Sequence, residues 1–558
     1  MTLDLVIANP SPAARRGSRE RPPHTLSGGH PPVAPRGSPG RAAKGSAPRK
    51  RILVVNAYFD DLRRDGGRPY SVPQAIGPPY LAGAFSPVLC DVRLYNEQYS
   101  GPLEDKDLLG WPDMLVLTGL TVAFDRMRQL TGYARTLNPK VIVVAGGPAV
   151  RALPRYSGRF FDYACTGDIE QMQDVIADAV GPAYVNRDMF PRFDLTYWFG
   201  RIAYVESSRN CNFRCSFCSL TGEGNRYQKY DLDYIRRQVM AVGKRRQVYF
   251  LDNNFYGNDR GFFLDRLELL KEMKREGRFG GWGALVTQDF FLNDENLRLA
   301  RESGCIGLFS GIESFDVEVL RRFNKRQNAR VPQVELIRKC LDAGILFLYG
   351  VIFDLSSRRL SECREEIAFI TGTPEIPLPS FVTQAIPLLG TPYFHECLEK
   401  GLLLPNTKLR DMDGTTLVQR PLDPIDEVRS FLSGLPVLRG YRRRVLRHTA
   451  GFLRRYGRRL SADQIKAVLG TAAMITAPSL ASAPTRMGLN RRHRQDRTFV
   501  TTTEHLDGCY RPAFRVESRY EDHFQPTMVT DADGCLAGDL AEDLLGAPTL
   551  ARTGTNGI

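Results

Sequence analysis

Cys211, Cys215 and Cys218 form a C-x3-C-x2-C pattern in the segment SSRNCNFRCSFC, directly after the apolar run RIAYVES. Three thiolates at this spacing can hold three irons of a [4Fe–4S] cluster and leave the fourth iron open. An open iron can chelate the amino and carboxylate groups of S-adenosylmethionine, and reduction then cleaves the sulfonium to a 5′-deoxyadenosyl radical. A structural zinc site is the competing reading. Zinc takes four ligands, however, and the next Cys or His downstream is Cys305. Three buried structural cysteines fit poorly beside Arg209, Asn210, Asn212 and Arg214. The other eight cysteines are scattered singly, the usual pattern of small buried hydrophobes in a large intracellular chain.

A loop of this kind needs a scaffold. From 200 to 400, apolar runs alternate with helical spacing: QVYFLDNN, GWGALVT, GLFSGIES, ILFLYGVIFDL and SFVTQAIPL follow RIAYVES in turn. This pattern predicts a partial barrel of six β/α units, with its chemistry at the strand C-termini. Upstream, over 51–190, the runs ILVVNAY, VLCDVRLY, MLVLTGL, VIVVAGG and YACTGD predict buried parallel strands. They form a doubly wound, Rossmann-like α/β domain, which binds ligands where its strands end. The residues at those ends are small: Thr118, Gly119, Thr121, Gly146, Gly147, Gly167 and Asp168. No G-x-G-x-x-G follows the first strand, so a dinucleotide site is disfavoured. A purely structural domain with tight glycine turns stays open.

Taken together, residues 51–400 resemble the cobalamin-binding class of radical S-adenosylmethionine methyltransferases. The resemblance implies three cofactors: a [4Fe–4S] cluster on Cys211, Cys215 and Cys218, S-adenosylmethionine, and cobalamin. Thr118 and Thr121 match the Ser/Thr position after the third strand that lines the slot for the cobalamin tail. Gly146 and Gly147 match the Gly-Gly after the fourth strand, with Gly119, Gly167 and Asp168 beside them. The better-known branch of the cobalamin fold supplies a cobalt-binding histidine from a D-x-H-x-x-G loop, whereas no histidine lies between 51 and 394 here. Phe217 fits the aromatic position before the last cysteine. Asp252, Asn253, Gly311 and Glu313 fall at strand ends that contact S-adenosylmethionine in the family, with a capping carboxylate at a strand–helix turn as the alternative for Asp252 and Glu313. Gly390–Thr391–Pro392 resembles the family's G-T-P turn.

The implied activity is transfer of a methyl group from S-adenosylmethionine through cobalamin to a carbon of a small natural-product precursor. Within the class, the architecture is similar to the tryptophan 2-C-methyltransferases of antibiotic (thiopeptide) biosynthesis, which makes Glu313 and Tyr349 the candidate catalytic residues. Methylases of pyrroles, aminoglycosides, phosphonates or hopanoids share the same parts, and an oxidative cyclase is the enzymatic alternative. A tRNA methylthiotransferase would need a second three-cysteine set, and the first domain holds only Cys90 and Cys165. A non-catalytic sensor is the remaining class. An electron donor such as a flavodoxin or ferredoxin is the expected partner.

Composition bounds the rest. The chain has 558 residues, 42% hydrophobic and 25% charged, and a net charge of +14. The fifty residues at the start hold nine Lys/Arg, two Asp/Glu and nine prolines. Half the excess charge therefore sits in a segment expected to be disordered, and nucleic-acid binding is not indicated. No apolar run approaches the roughly 20 residues that span a bilayer, so a cytoplasmic location is expected. A mostly helical region is predicted over 420–535, followed by a flexible tail over 536–558. Within it, Leu438, Tyr441, Val445, Thr449, Phe452, Tyr456 and Leu460 form one apolar stripe, in a stretch (437–460) with nine arginines and no acid. That helix is expected to pack on the barrel with a solvated basic face, or to serve as a substrate lid or a surface for an anionic or membrane-held substrate.

Overall fold

The computed structural model of the protein describes residues 49–59, 76–224, 226–414, 416–434, 441–480 and 509–546. Nearly all of the expected N-terminal tail, and the expected tail from 547 onward, lie outside the described residues.

Apolar, largely β-branched runs build the first domain. Strands β1 (Lys50–Asn56), β2 (Cys90–Asn96), β3 (Met114–Thr118), β4 (Ile142–Gly146) and β5 (Tyr163–Cys165) form one parallel sheet in the order β2-β1-β3-β4-β5. Asn56 pairs in register with Thr118, and Thr118 with Gly146, so three strands end level. The chain winds one way from β1 to β2 and the other way from β3 onward, which opens a crevice at the strand ends. Helices α1 (Gly77–Gly83), α2 (Phe124–Leu137) and α3 (Gln171–Ala179) cover the sheet.

The second domain begins with β6 (Ile202–Val205), β7 (Arg245–Phe250), β8 (Phe279–Leu285), β9 (Cys305–Phe309) and β10 (Leu346–Leu348), paired consecutively in parallel. The fifth apolar run breaks at Tyr349. Its second half, β11 (Gly350–Phe353), pairs with β12 (Phe381–Gln384) and keeps one parallel bridge, Val351 to Glu313, to the segment after β9. The result is a six-unit partial barrel. Outside it lie α4 (Leu232–Ala241), α5 (Arg260–Arg275), α6 (Asp294–Glu302), α7 (Gln333–Asp342) and α8 (Leu360–Gly372). Asp231, Asp259 and Asn293 accept from backbone amides at the starts of α4, α5 and α6, as N-caps do.

Three further helices follow: α9 (Ile425–Gly434), α10 (Tyr441–Tyr456) and α11 (Ala462–Leu480). Gln464 Nε2 donates to the Ile306 carbonyl (2.6 Å) and the Gly344 carbonyl (2.9 Å), both at strand beginnings. The α10–α11 pair therefore covers the barrel end opposite the strand C-termini. Val445, Thr449, Phe452, Tyr456 and Leu460 are buried as the stripe requires, and the flanking arginines face solvent. A lid over the strand C-termini is thus corrected to a floor. Leu438 lies outside the described residues.

The expected flexible tail is also corrected in part. Residues 509–546 return to the first domain and complete it. Tyr510 Oη donates to Asp125 (2.5 Å), Thr527 Oγ1 to the same carboxylate (2.5 Å), and Arg128 to the Gln525 carbonyl (2.9 Å). This cover explains why α2 is buried from Phe124 through Ala134. Helix α12 (Gly538–Leu545) sinks Leu540 and Leu544, and its Asp543 accepts from the Arg155 and Tyr156 amides (3.0 and 2.9 Å). Of the predicted helical region, 481–508 lies outside the described residues, and 509–535 is loop, turn and 3₁₀ chain with no α-helix. Among the described residues, no helix is long and apolar enough to cross a membrane.

Candidate active site

The cysteine loop leaves β6 through Glu206, Ser207 and Ser208, and it separates two clefts. The first, about 790 Å³ with its open mouth included, is lined by Thr118, Gly146, Gly147, Gly167 and Asp168 from the sheet, Tyr80 from α1, and Glu206 and Arg209 from the barrel. Gly147 has φ +119°, and a Cβ there would stand 2.6 Å from the Gly119 carbonyl oxygen. Only glycine allows that backbone conformation beside so close a neighbour. Gly119 and Thr121, expected on this wall, are not on it. Gly119 packs behind Gly147, between Ala57 and Ala123, and Thr121 is buried at the start of a 3₁₀ turn leading into α2. Five of the seven small residues thus converge, and two support them.

A charged network closes the joint between the domains. Arg209 Nη1 approaches Asp168 (3.3 Å) and Glu170 (3.0 Å), its Nε lies 3.8 Å from Glu206, and it also bonds Tyr230. Asn210 Nδ2 donates to the other Asp168 oxygen (3.2 Å). Burial pushes the Glu206 carboxyl up to about 7; Arg209 opposes this, and Asp252 and Asp168 reinforce it.

The second cleft, about 770 Å³, brings Cys211, Cys215 and Cys218 together with Phe217, Asn253, Gly311 and Glu313. Burial pushes the Cys211 thiol up to about 12 and raises that of Cys215. Among the described residues, no group of three or more His, Cys, Asp or Glu is arranged to hold a single metal ion. Lys325, which the sequence did not single out, reaches the cleft from the loop after the helix Val317–Arg322 and ion-pairs with Glu313. Burial works against the lysine's charge, but Glu313 and Cys215 raise its pKa. Glu313 sits at φ +61°, an uncommon backbone for a non-glycine residue and one found at functional sites. Its Oε2 atom is buried without a hydrogen-bond partner. Gln327, equally unforeseen, donates to Cys215 Sγ at 3.5 Å. Lys325 and Gln327 lie more than a hundred residues beyond the cysteines, and no local spacing connects them.

Two expected site residues face elsewhere. Asp252 is fully buried outside the cleft lining. It accepts from Ser207 N (2.7 Å), Ser207 Oγ (2.5 Å) and Ser208 Oγ (2.6 Å), and pairs with the buried Arg266 at 3.6 Å. Its carboxylate is consumed in anchoring the base of the cysteine loop. Tyr349 is also fully buried. Its hydroxyl donates to the Pro377 carbonyl (2.9 Å), and its ring meets Phe315 edge-on, on the outer side of the barrel wall. The G-T-P turn supports the loop from below: Thr391 Oγ1 accepts from the Phe394 amide (3.1 Å) and the Tyr393 amide donates to the Ser216 carbonyl (3.1 Å).

Residues 205–355 match the radical SAM superfamily. The chain is similar to the hopanoid C-2 methylase of Rhodopseudomonas palustris, at 27% identity over 402 residues, which is 65% of this chain and 73% of that one. A bacteriochlorophyllide d C-12(1)-methyltransferase of Chlorobaculum tepidum is 27% identical over 211 residues, 36% of this chain and 44% of that one. Among solved structures, the fold is similar to the cobalamin-dependent S-adenosylmethionine radical enzyme OxsB with aqua-cobalamin bound. The TM-score is 0.53 at 15% identity, over 83% of this chain and 78% of that one.

Proposed function

We infer that this radical SAM enzyme is a cobalamin-dependent C-methyltransferase that acts on a small-molecule precursor. The observation that carries the reading is the single cysteine loop with a cleft on either side: Arg209 lines one, and Cys211, two residues on, lines the other. Both clefts suit their groups. Three thiols face one space, as a cluster with one open iron requires. The unpartnered Glu313 Oε2 is an acceptor without a donor, suited to an ammonium group. The bare backbone at Gly146–Gly147 leaves room for a bulky ligand at the sheet edge. The methylase names of the two relatives supply the reaction class.

On this reading Cys211, Cys215 and Cys218 hold the cluster. Glu313, Gly311 and Asn253 hold S-adenosylmethionine beside Phe217. Thr118, Gly146, Gly147, Gly167 and Asp168 hold cobalamin. Gly119, Thr121 and Asp252 keep these residues in place without touching a cofactor. Together the groups supply one-electron cleavage of a sulfonium and methyl transfer through a corrinoid. The protein binds them side by side, and Lys325 offsets the charge that Glu313 and the thiolates gather in one buried space. An electron donor such as a flavodoxin or ferredoxin completes the system.

C2 of L-tryptophan is the first acceptor to screen. The test is anaerobic reconstitution, with iron, sulfide and corrinoid counted per chain, followed by product mass. About four irons and one corrinoid, with a product heavier by one CH2, support the reading. Four irons with no corrinoid uptake would overturn it, and a product lighter by two hydrogens would turn it into a cyclase.

A further inference from the structure

The thiol-lined cleft has one mostly apolar wall. Leu285 ends β8 there with Val286 and Thr287 after it, Phe309 ends β9, and Phe381 begins β12. The two phenyl rings stack nearly parallel, 5.8 Å between centroids and 13° between planes. Both rings line the cleft; Phe309 is buried, whereas Phe381 is half-buried and the more open of the two.

The placement of Phe381 depends on a residue in the neighbouring strand. A Cβ on Gly350 would overlap the Phe381 ring itself. Gly350 pairs in register with Phe381, so the space its missing side chain leaves is the space the ring occupies.

The charges lining the cleft point the same way. Among the described residues, Glu313 and Lys325 are the only charged side chains lining it, and they pair with each other. On the reading above the remaining Glu313 oxygen is taken by the cofactor's ammonium, so a dianion or a polycation bound against the phenyl wall would lose hydration with no free counter-charge beside it. An uncharged ring loses far less hydration there and gains the aromatic contact.

We propose that the methyl acceptor enters the thiol-lined cleft as an uncharged, aromatic ring packed against Phe381, which selects for aromatic acceptors over sugars and phosphonates. This rests on the methyltransferase reading above and narrows its substrate class. Any charged group on the acceptor then extends away from the phenyl wall.

Indole, galactosamine and methylphosphonate serve as probes, titrated into the anaerobically reconstituted holoenzyme by saturation-transfer NMR. Indole is expected to bind and the other two are not. Phe381→Ala and Gly350→Ala are each expected to weaken indole by about tenfold. Phe381→Tyr keeps the ring and is expected to preserve binding. Iron content and affinity for S-adenosylhomocysteine, measured on every variant, show whether the fold and the cofactor site survive. Displacement of indole by S-adenosylhomocysteine would overturn the proposal, because the phenyl wall would then hold the adenine. Failure of indole to bind a protein that still takes up four irons and S-adenosylhomocysteine would also overturn it, leaving the enzyme class untouched. Loss of both iron and S-adenosylhomocysteine binding in the parent would instead remove the reading on which it rests.

Discussion

Arg151 Nη1 lies 2.7 Å from Glu223 Oε2. Arg151 belongs to the short helix that starts at Gly147 and lines the first cleft, and Glu223 ends the short helix that starts just after Cys218. The pair fastens the wall of one cleft to the exit of the loop that lines the other. Both side chains are largely withdrawn from water, and burial raises the Glu223 carboxyl against the pull of Arg151.

Arg151→Ala strips this carboxylate of its partner. The expected cost is about 1–3 kcal/mol in denaturant unfolding, together with weaker corrinoid uptake at unchanged iron content. A variant as stable as the parent and equal in corrinoid affinity would show that the pair does not join the clefts.

Cys215→Ala removes one of the three thiols and the acceptor of the Gln327 amide. Bound iron after reconstitution is expected to fall to a small fraction of the parent value, with loss of the cluster's visible absorption. Corrinoid binding in the first cleft should persist. Retention of a full cluster would rule out the ligand assignment.

Glu206 provides a pH signature. Its folded value of about 7 lies above the ordinary 4.5, so between these limits the folded state holds a proton that the unfolded chain has lost. The resulting stability is complete below about pH 4.5 and disappears as pH rises through about 7. Comparing melting temperatures of the parent and Glu206→Gln from pH 5 to 8 isolates this contribution. The parent is expected to lose ground to the variant as pH rises. Parallel curves would place the carboxyl in an ordinary environment.

Asp252→Ala would leave Arg266 buried without its counter-ion and three donors from Ser207 and Ser208 without an acceptor. A loss of about 3–5 kcal/mol is expected, with poorer cluster retention because the base of the loop is released. Asp252→Asn keeps an acceptor and should cost less. If Asp252→Ala proved stable but defective only in S-adenosylmethionine binding, the carboxylate would belong in the cleft after all.

Much of the molecule was legible from its residues, because the informative patterns are local. Three cysteines within eight residues, and apolar runs separated by helical spacing, announce the loop and both parallel sheets. The side chains that failed expectation are those whose direction depends on distant neighbours. Tyr349 lies on the predicted fifth strand, but the strand is interrupted at that residue and carries the ring outward. Asp252 sits at a strand end and still turns inward, because Ser207 and Ser208 on the adjacent strand offer it three donors. Lys325 reaches the thiols across a separation that no single sequence displays, and only the fold brings it there.

The return of residues 509–546 to the first domain has a consequence for how the protein is made. The outer face of α2 is finished by Thr527, 402 residues after Asp125. At roughly 5–20 residues per second on the ribosome, that face waits on the order of 20–80 s for its cover to emerge. Meanwhile its buried-to-be Asp125, Arg128 and Tyr133 stand open to solvent or to a chaperone. A chain cut short at residue 508 would therefore lose the closure of its beginning.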